Sequence, residues 1–327
     1  MMNSIPTLND LPAVSRKGWP WSDAFQNPNP ESLSQVDWPK ISIVTPSFNQ
    51  GQFLEETIRS VLLQGYPNLE YIIIDGGSTD GSVEIIKKYE PWLAYWQSEK
   101  DAGQSQAINK GFANSTGEIM AWINSDDFYA PGAFFPVAEA FLKENTLWVA
   151  GITHRVDQSG KIIIPGKRFE ESMENWYIGA PYLQPGIFWH RDLWKKSGTL
   201  DESLHYSFDY DLLMRFVQYQ TFAFWLESHL ANFRIHSESK TGKDQLKFMP
   251  ERQKIYRRYP YRGKNLRKKF YIWRMRQERK ARIYMGLLGK LSLAAILFKI
   301  MITSPWFFAR IQFLYWIKKN IKQERSE

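Results

Sequence analysis

Four clusters in this 327-residue sequence place groups where they could do chemistry. Asp75 opens Asp75-Gly-Gly-Ser-Thr-Asp-Gly81. A carboxylate there can accept from a base or ribose donor while the glycines let backbone approach a ligand; a Gly-rich turn capping the next helix fits the same residues. In Asn124-Ser-Asp-Asp127, after an apolar run, Asp126 and Asp127 offer hard oxygen ligands. Mg²⁺ or Mn²⁺ takes such ligands when it shares its shell with phosphates, and it would neutralise charge building on a departing diphosphate; a plain turn is the alternative. Asp209 and Asp211 stand at the start of a helical pattern, where acids also serve as caps. Their i, i+2 spacing turns the two carboxylates apart, so one can face a cleft as a base while the other braces the loop. Arg234-Ile-His-Ser-Glu-Ser-Lys-Thr241 gathers three cationic types in eight residues. It is either a solvated loop or a diphosphate clamp, with Arg234 on the phosphates and His236 as a metal ligand.

These residues need elements to hold them. Residues 41–45 and 71–75 are short β-branched runs, the first ended by Pro46, the second by Gly76-Gly77, as buried parallel strands would be. Apolar positions at helical spacing cover 53–64, 82–89 and 104–113, with extended segments expected at 92–97 and 118–123. Strand–helix alternation at this spacing implies an α/β fold, a mostly parallel sheet with helices on both faces. Ligands of such sheets lie beyond the carboxyl ends of the strands, where Asp75, Asp101, Asp126 and Asp127 all fall. From 150 to 250 the pattern loosens into short strands and one clear helix, 209–218. The dinucleotide fingerprint G-x-G-x-x-G is absent.

Composition divides the chain. From residue 251 onward there are 21 Lys and Arg against 4 Asp and Glu; the first 250 residues carry 21 against 30. Three parts are expected: an irregular arm over 1–39 without a secretory signal, a catalytic domain over 40–250, and a basic helical tail over 251–327. Without cysteine, a disulfide framework or thiolate metal site is excluded.

The motifs Ile41-Ser-Ile-Val-Thr-Pro-Ser-Phe-Asn49, Ile74-Asp-Gly-Gly-Ser-Thr-Asp-Gly-Ser82, Ser98-Glu-Lys-Asp-Ala-Gly-Gln-Ser-Gln-Ala-Ile-Asn-Lys-Gly111, Trp122-Ile-Asn-Ser-Asp-Asp127 and Phe208-Asp-Tyr-Asp-Leu212 occur in an order that resembles the family 2 glycosyltransferases. The resemblance implies the GT-A fold and inverting, metal-dependent transfer of one sugar from a nucleotide-diphosphate sugar, foremost a UDP-sugar. It implies that Pro46 and Asp75 lie near the nucleoside, with Glu99, Asp101 and Lys110 around the ribose and diphosphate. By the same resemblance Asp126 is the principal metal ligand, Asp209 the general base, Asp211 a supporting carboxylate and Gln184 an acceptor-side residue. Asn124 departs from the pattern, standing where many members place the first Asp of D-x-D. The Q-x-x-R-W element of processive members is absent, so single transfer is expected.

The tail mixes basic and aromatic residues over 252–282, then runs largely apolar over 286–303 and resumes as an amphipathic helix after Ser304-Pro305. Its apolar stretch is short for a span and carries two lysines, so helices lying in the headgroup region of an anionic membrane are expected. Packing on the catalytic domain or a second subunit is the alternative, and nucleic acid is not expected as a partner. A glycan or polyprenyl-linked acceptor in surface-polysaccharide synthesis, at the cytoplasmic face of the inner membrane, fits that placement. The rival from another class is a non-catalytic module that binds a sugar nucleotide or glycan.

Overall fold

The computed structural model describes residues 5–23, 25, 36–168, 172, 176, 182–240 and 247–260. Its centre is the buried run that the sequence marks first. Strand β1 (Ile41–Ser47) is buried throughout and lies parallel between β2 (Leu69–Asp75) and β4 (Ile119–Trp122), with β3 (Tyr95–Ser98) parallel on the far side of β2. The chain leaves β1 in one direction towards β2 and β3, then returns to its other flank as β4. The gap between β1 and β4 is therefore a topological switch point, where the loops beyond the strand ends diverge and leave a crevice. Register aligns Ser47, Asp75 and Ser98 across that edge.

Helices cover both faces. Alternate residues of the strands (Ile41, Ile43, Tyr71, Ile73, Ile119, Ala121) share a core with the buried stripes of α1 (Gly51–Leu62), α2 (Ser82–Tyr89) and α4 (Phe134–Lys143). The other set meets α3 (Gln104–Ala113), where a Cβ on Gly111 would collide with Val44, so glycine lets the helix backbone lie against the sheet. That face is aromatic: Phe112 meets Trp122, Trp189 and Trp194, and Trp122 meets Trp189, edge-on or tilted with centroids 4.8–6.5 Å apart, while Trp189 and Trp194 stack at 6.1 Å.

Beyond β4 the sheet continues through β8 (Ile187–His190), antiparallel to its neighbours, to β6 (Trp148–Val156), β9 (Phe224–Arg234) and β5 (Phe128–Tyr129). β7 (Ile162–Ile164) pairs with β6 at the edge. β6 and β9 are long rather than the short strands expected, because register shifts at Gly151, Ile152 and Thr153 break the period-2 pattern by which a strand is recognised. α5 (Arg191–Ser197), α6 (Phe208–Phe216) and α7 (Phe248–Arg258) complete the described elements.

The chain divides into compact units Met1–Pro260 and Tyr261–Glu327, ten residues beyond the change in charge, so α7 belongs with the sheet. Among the described residues no helix is long and apolar enough to cross a membrane. The expected tail helices lie outside the described residues.

The described part of the N-terminal arm lacks regular structure and is held by one buried cation. Arg59 of α1 donates to the carbonyls of Pro20 (3.0 Å), Pro12 (3.0 Å) and Trp21 (3.2 Å) and to the Tyr89 hydroxyl (3.1 Å). Removing it strands three carbonyls away from water. Arg59→Leu should lower the free energy of unfolding by about 3 kcal/mol. Chemical denaturation measures this, and an unchanged midpoint would show that the arm does not depend on this contact.

Candidate functional site

The loops beyond β1, β2, β3 and β4 close around one cleft, and each carboxylate in it has a particular task. Asp75, at the end of β2, is fully buried. Its Oδ2 accepts from the backbone N–H groups of Gly77 (3.0 Å) and Ser78 (2.8 Å) and from the Ser98 hydroxyl (2.7 Å), while Oδ1 accepts from the Ser78 hydroxyl (2.5 Å). Asp75 thus shapes its own loop, and its carboxylate has no surface open to a base or ribose. Pro46 is buried beside it in β1, paired with Ile74. Asp101 lies over Gly76, so close that a Cβ there would stand 3.1 Å from its carboxylate, and accepts from Gly103 N at 2.8 Å. Glu99 is exposed and accepts from Gln97. Lys110 sits six residues down α3 from Gln104, about 9 Å along the axis. Among the described residues no hydrogen bond or ion pair links it to the cluster.

At the β4 loop two neighbouring acids part. Asp127 is buried; its Oδ1 accepts from Arg234 N (2.8 Å) and its Oδ2 from the Asn124 amide (3.2 Å). Loss of water pushes its carboxyl well above the usual range, with the charge of Asp126 adding to the effect. It is turned into the protein, away from any cation in the cleft. Asp126 faces the opening, its side chain 17% exposed, with Oδ2 3.0 Å from His236 Nε2. The His236 ring packs on Phe53 at 4.8 Å.

Arg234 is not a phosphate clamp. Its guanidinium donates to the Asp126 carbonyl (2.7 Å), the Gln158 carbonyl (2.7 Å) and Glu56 Oε2 (2.9 Å), and lies over the rings of Phe53 and Phe128. It braces the loop from behind. The cation that does enter the cleft from this segment is Lys240, whose Nζ donates to Gln104 Oε1 (2.8 Å) and the His205 carbonyl (2.7 Å). Gln104 in turn donates to Asn124 Oδ1 at 2.6 Å, tying the start of α3 to the β4 loop. Loss of water lowers the Lys240 pKa, and the charges of Asp209, Glu251 and Asp126 oppose this. One ammonium therefore senses the carboxylates on both sides of the cleft.

On the far side Asp209 begins α6. It is half-buried, accepts from Tyr210 N (2.7 Å), and desolvation raises its pKa; Arg252 and Lys240 pull it back. Asp211 points the other way, 2% exposed, and pairs with Arg215 (3.2 Å) and Arg258 (3.1 Å), so its part is to brace α6. Gln184 donates to the Trp122 carbonyl (2.7 Å) at the end of β4, beside the switch-point crevice.

Three contributors carry no sequence signal of their own. Phe48, directly after β1, is 60% exposed at the edge of the cleft. Glu251, the first residue of the basic segment, accepts at 2.8 Å from the backbone N–H groups of His205, Tyr206 and Ser207, fixing the turn that leads into Asp209. Arg252, one residue on, lies 5.1 Å over the Tyr210 ring.

Among the described residues no three His, Asp or Glu converge as a self-sufficient metal cage. Asp126 with His236 is a pair, and a pair fits a divalent cation that draws the rest of its shell from phosphates and water.

Residues 42–202 match the profile of glycosyl transferase family 2. This segment is a family 2 glycosyltransferase domain. An uncharacterized glycosyltransferase of Rickettsia typhi is 28% identical over 219 residues, 62% of this chain and 66% of that protein. The putative teichuronic acid biosynthesis glycosyltransferase TuaG of Bacillus subtilis is 37% identical over 96 residues, 28% and 38% of the two chains. The chain thus spans less than two thirds of the length of these curated relatives. The fold is GT-A: Staphylococcus aureus TarS residues 1–349, solved with UDP, aligns at TM-score 0.57 and 17% identity over 77% of this chain and 76% of that one. The mannosyltransferase PcManGT of Pyrobaculum calidifontis, solved with GDP-Man and Mn²⁺, aligns at TM-score 0.52 and 18% identity over 88% of each.

The two roles considered for Arg234 separate by experiment. Arg234→Met should cost about 3 kcal/mol of stability, because it leaves Glu56 and the Asp126 carbonyl buried without a partner. A residue that only held phosphate would leave the unfolding midpoint in place and weaken nucleotide binding alone.

Proposed function

We propose that the chain transfers one sugar from a nucleotide-diphosphate sugar to a glycan hydroxyl, inverting the anomeric centre, with Asp209 as general base. The observation that supports this reading is Lys240, whose Nζ donates to Gln104 Oε1 and the His205 carbonyl and whose charge interacts with both Asp126 and Asp209. The acceptor O–H gives its proton to an Asp209 oxygen as its oxygen bonds the anomeric carbon. The bond to the diphosphate breaks on the opposite face, and the diphosphate leaves with the electron pair. Asp126 and His236 would hold Mn²⁺ or Mg²⁺, which supplies positive charge to the leaving diphosphate. Lys240 adds to that field from the protein's own side, while Phe48 offers a flat surface on which a base can stack.

Support comes from the relatives' ligands: UDP and UDP-GlcNAc in TarS, GDP-Man with Mn²⁺ in PcManGT. TuaG's name points to an anionic cell-wall polysaccharide. A UDP-sugar donor, a polyprenyl-linked acceptor and a site of action at the cytoplasmic face of the inner membrane complete the proposal.

Purified protein offered a panel of sugar nucleotides, with Mn²⁺ or with EDTA, should release nucleoside diphosphate only with metal. Asp209→Asn should lower kcat by roughly 10²–10⁴-fold while UDP still binds; full activity in that variant would end the assignment. Donor binding without diphosphate release, in any condition, would favour the non-catalytic module instead. The base works deprotonated, and its pKa is raised, so the rate should fall with acid at a pH above the ordinary Asp range. Lys240→Met, removing a cation that favours the charged form, should move that limb higher still. Phe48→Ala should raise the donor KM about tenfold, a stacking contribution of about 1–3 kcal/mol, with kcat little changed.

A further inference from the structure

The edge of the sheet carries a hairpin that catalysis does not use. It runs from the end of β6 through a turn at Asp157–Gly160 into β7. Asp157 closes the turn, accepting from the N–H groups of Ser159 and Lys161. Successive strand residues point to opposite faces, so a strand lying on a core buries one alternate set. β7 buries neither. Ile162, Ile164 and Ile163 are 46%, 48% and 48% exposed, although the first two leave one face and the third the other. Lys161 precedes them and Lys167 and Arg168 follow, all exposed. Among the described residues the nearby acids are Asp157, already bound within the turn, and Glu227, 3.9 Å from Arg168; Glu170 and Glu171 follow Arg168 in the sequence.

The turn of the hairpin is anchored to the segment that braces Asp126. The Gln158 carbonyl accepts from Arg234, the residue that braces Asp126, and a Cβ on Gly160 would stand 3.7 Å from the Phe128 ring. Gly166 N donates to His154 Nδ1 at 2.8 Å. The turn that precedes the three exposed isoleucines is thus tied to the residue that braces Asp126.

A protein partner adding a strand would cover one edge and one face, leaving the opposite isoleucine in water. A lipid interface surrounds both faces at once, and flanking lysines reach its phosphates with their stems in the apolar layer. We propose that residues 161–168 enter the headgroup region of an anionic bilayer and hold the Asp126–His236 side of the cleft against it. This contact is separate from the basic tail and independent of whether sugar is transferred.

The chain has no cysteine, so one introduced thiol reports on one place. Ile163→Cys in the full chain, carrying an environment-sensitive fluorophore, is compared with Leu142→Cys on α4, which is likewise 50% exposed. With vesicles of equimolar phosphatidylcholine and phosphatidylglycerol, emission at 163 should shift to the blue and be quenched by spin-labelled lipid, while emission at 142 should not. Lys161→Gln with Lys167→Gln should raise the vesicle concentration needed for the shift at 163 by about tenfold, at an unchanged melting temperature. An unshifted probe at 163 on protein that sediments with vesicles would overturn the proposal. So would equal shifts at 163 and 142, or an undiminished shift in the double glutamine variant. A blue shift that grows with protein concentration without lipid would assign the patch to a second copy of the chain, also against it.

Discussion

The site depends on one buried pair of segments, in which Asp127 accepts the backbone N–H of Arg234 and the Arg234 guanidinium closes on the Asp126 carbonyl and Glu56. Adjacent carboxylates repel, and an isolated pair in a loop would both seek water. Here the protein draws one inward and satisfies it, which forces the next side chain outward at the end of β4. Asp126 meets His236 because β9 delivers Arg234 and His236 two residues apart, one to the back of the loop and one to its front. Desolvating these charges is tolerable only because every one of them finds a partner. Loosening any of the partners would disorder the loop before it touched the chemistry.

Opposite that loop the electrostatics are deliberately incomplete. Asp209 has lost water without gaining an ion pair among the described residues, whereas its neighbour Asp211 has gained two. Within two residues of one helix, the same side chain is desolvated in one place and a strut in the other. Lys240 and Arg252 temper the Asp209 carboxyl from a distance instead of binding it, so it keeps an appetite for a proton.

Much of this was legible in the sequence, and the reasons for the rest are physical. The helices over 82–89 and 104–113 and the parallel strands around them follow from apolar periodicity and from glycines at the loops, and they appear where expected. The opposite orientations of Asp209 and Asp211 follow from helical geometry alone. What sequence could not give was burial. Arg234 and Asp75 sit in motifs rich in functional residue types, yet both are enclosed, Asp75 bonded to its own loop and to Ser98, Arg234 to the Asp126 and Gln158 carbonyls and to Glu56, and nothing local separates a structural arginine from a ligand-binding one. Lys110 looked close to the site by position, but a helix carries it away along its axis. Lys240 was one of several cations in its segment until the fold brought it between Gln104 and His205. The long β6 and β9 pairing escaped because bulges break the alternation that marks a strand.

The bonds to Glu251 bear on how the chain can be divided. Charge composition changes at that residue, which makes it an inviting place to cut, yet its carboxylate gathers three consecutive amides just ahead of α6. Arg258, at the other end of α7, reaches back to Asp201 and Asp211. A fragment ending at residue 250 would keep every residue of the family-matched segment and lose the clasp on the turn that leads into α6. The autonomous piece of this protein is better sought at Pro260, with α7 treated as the last turn of the lock rather than the first of the tail.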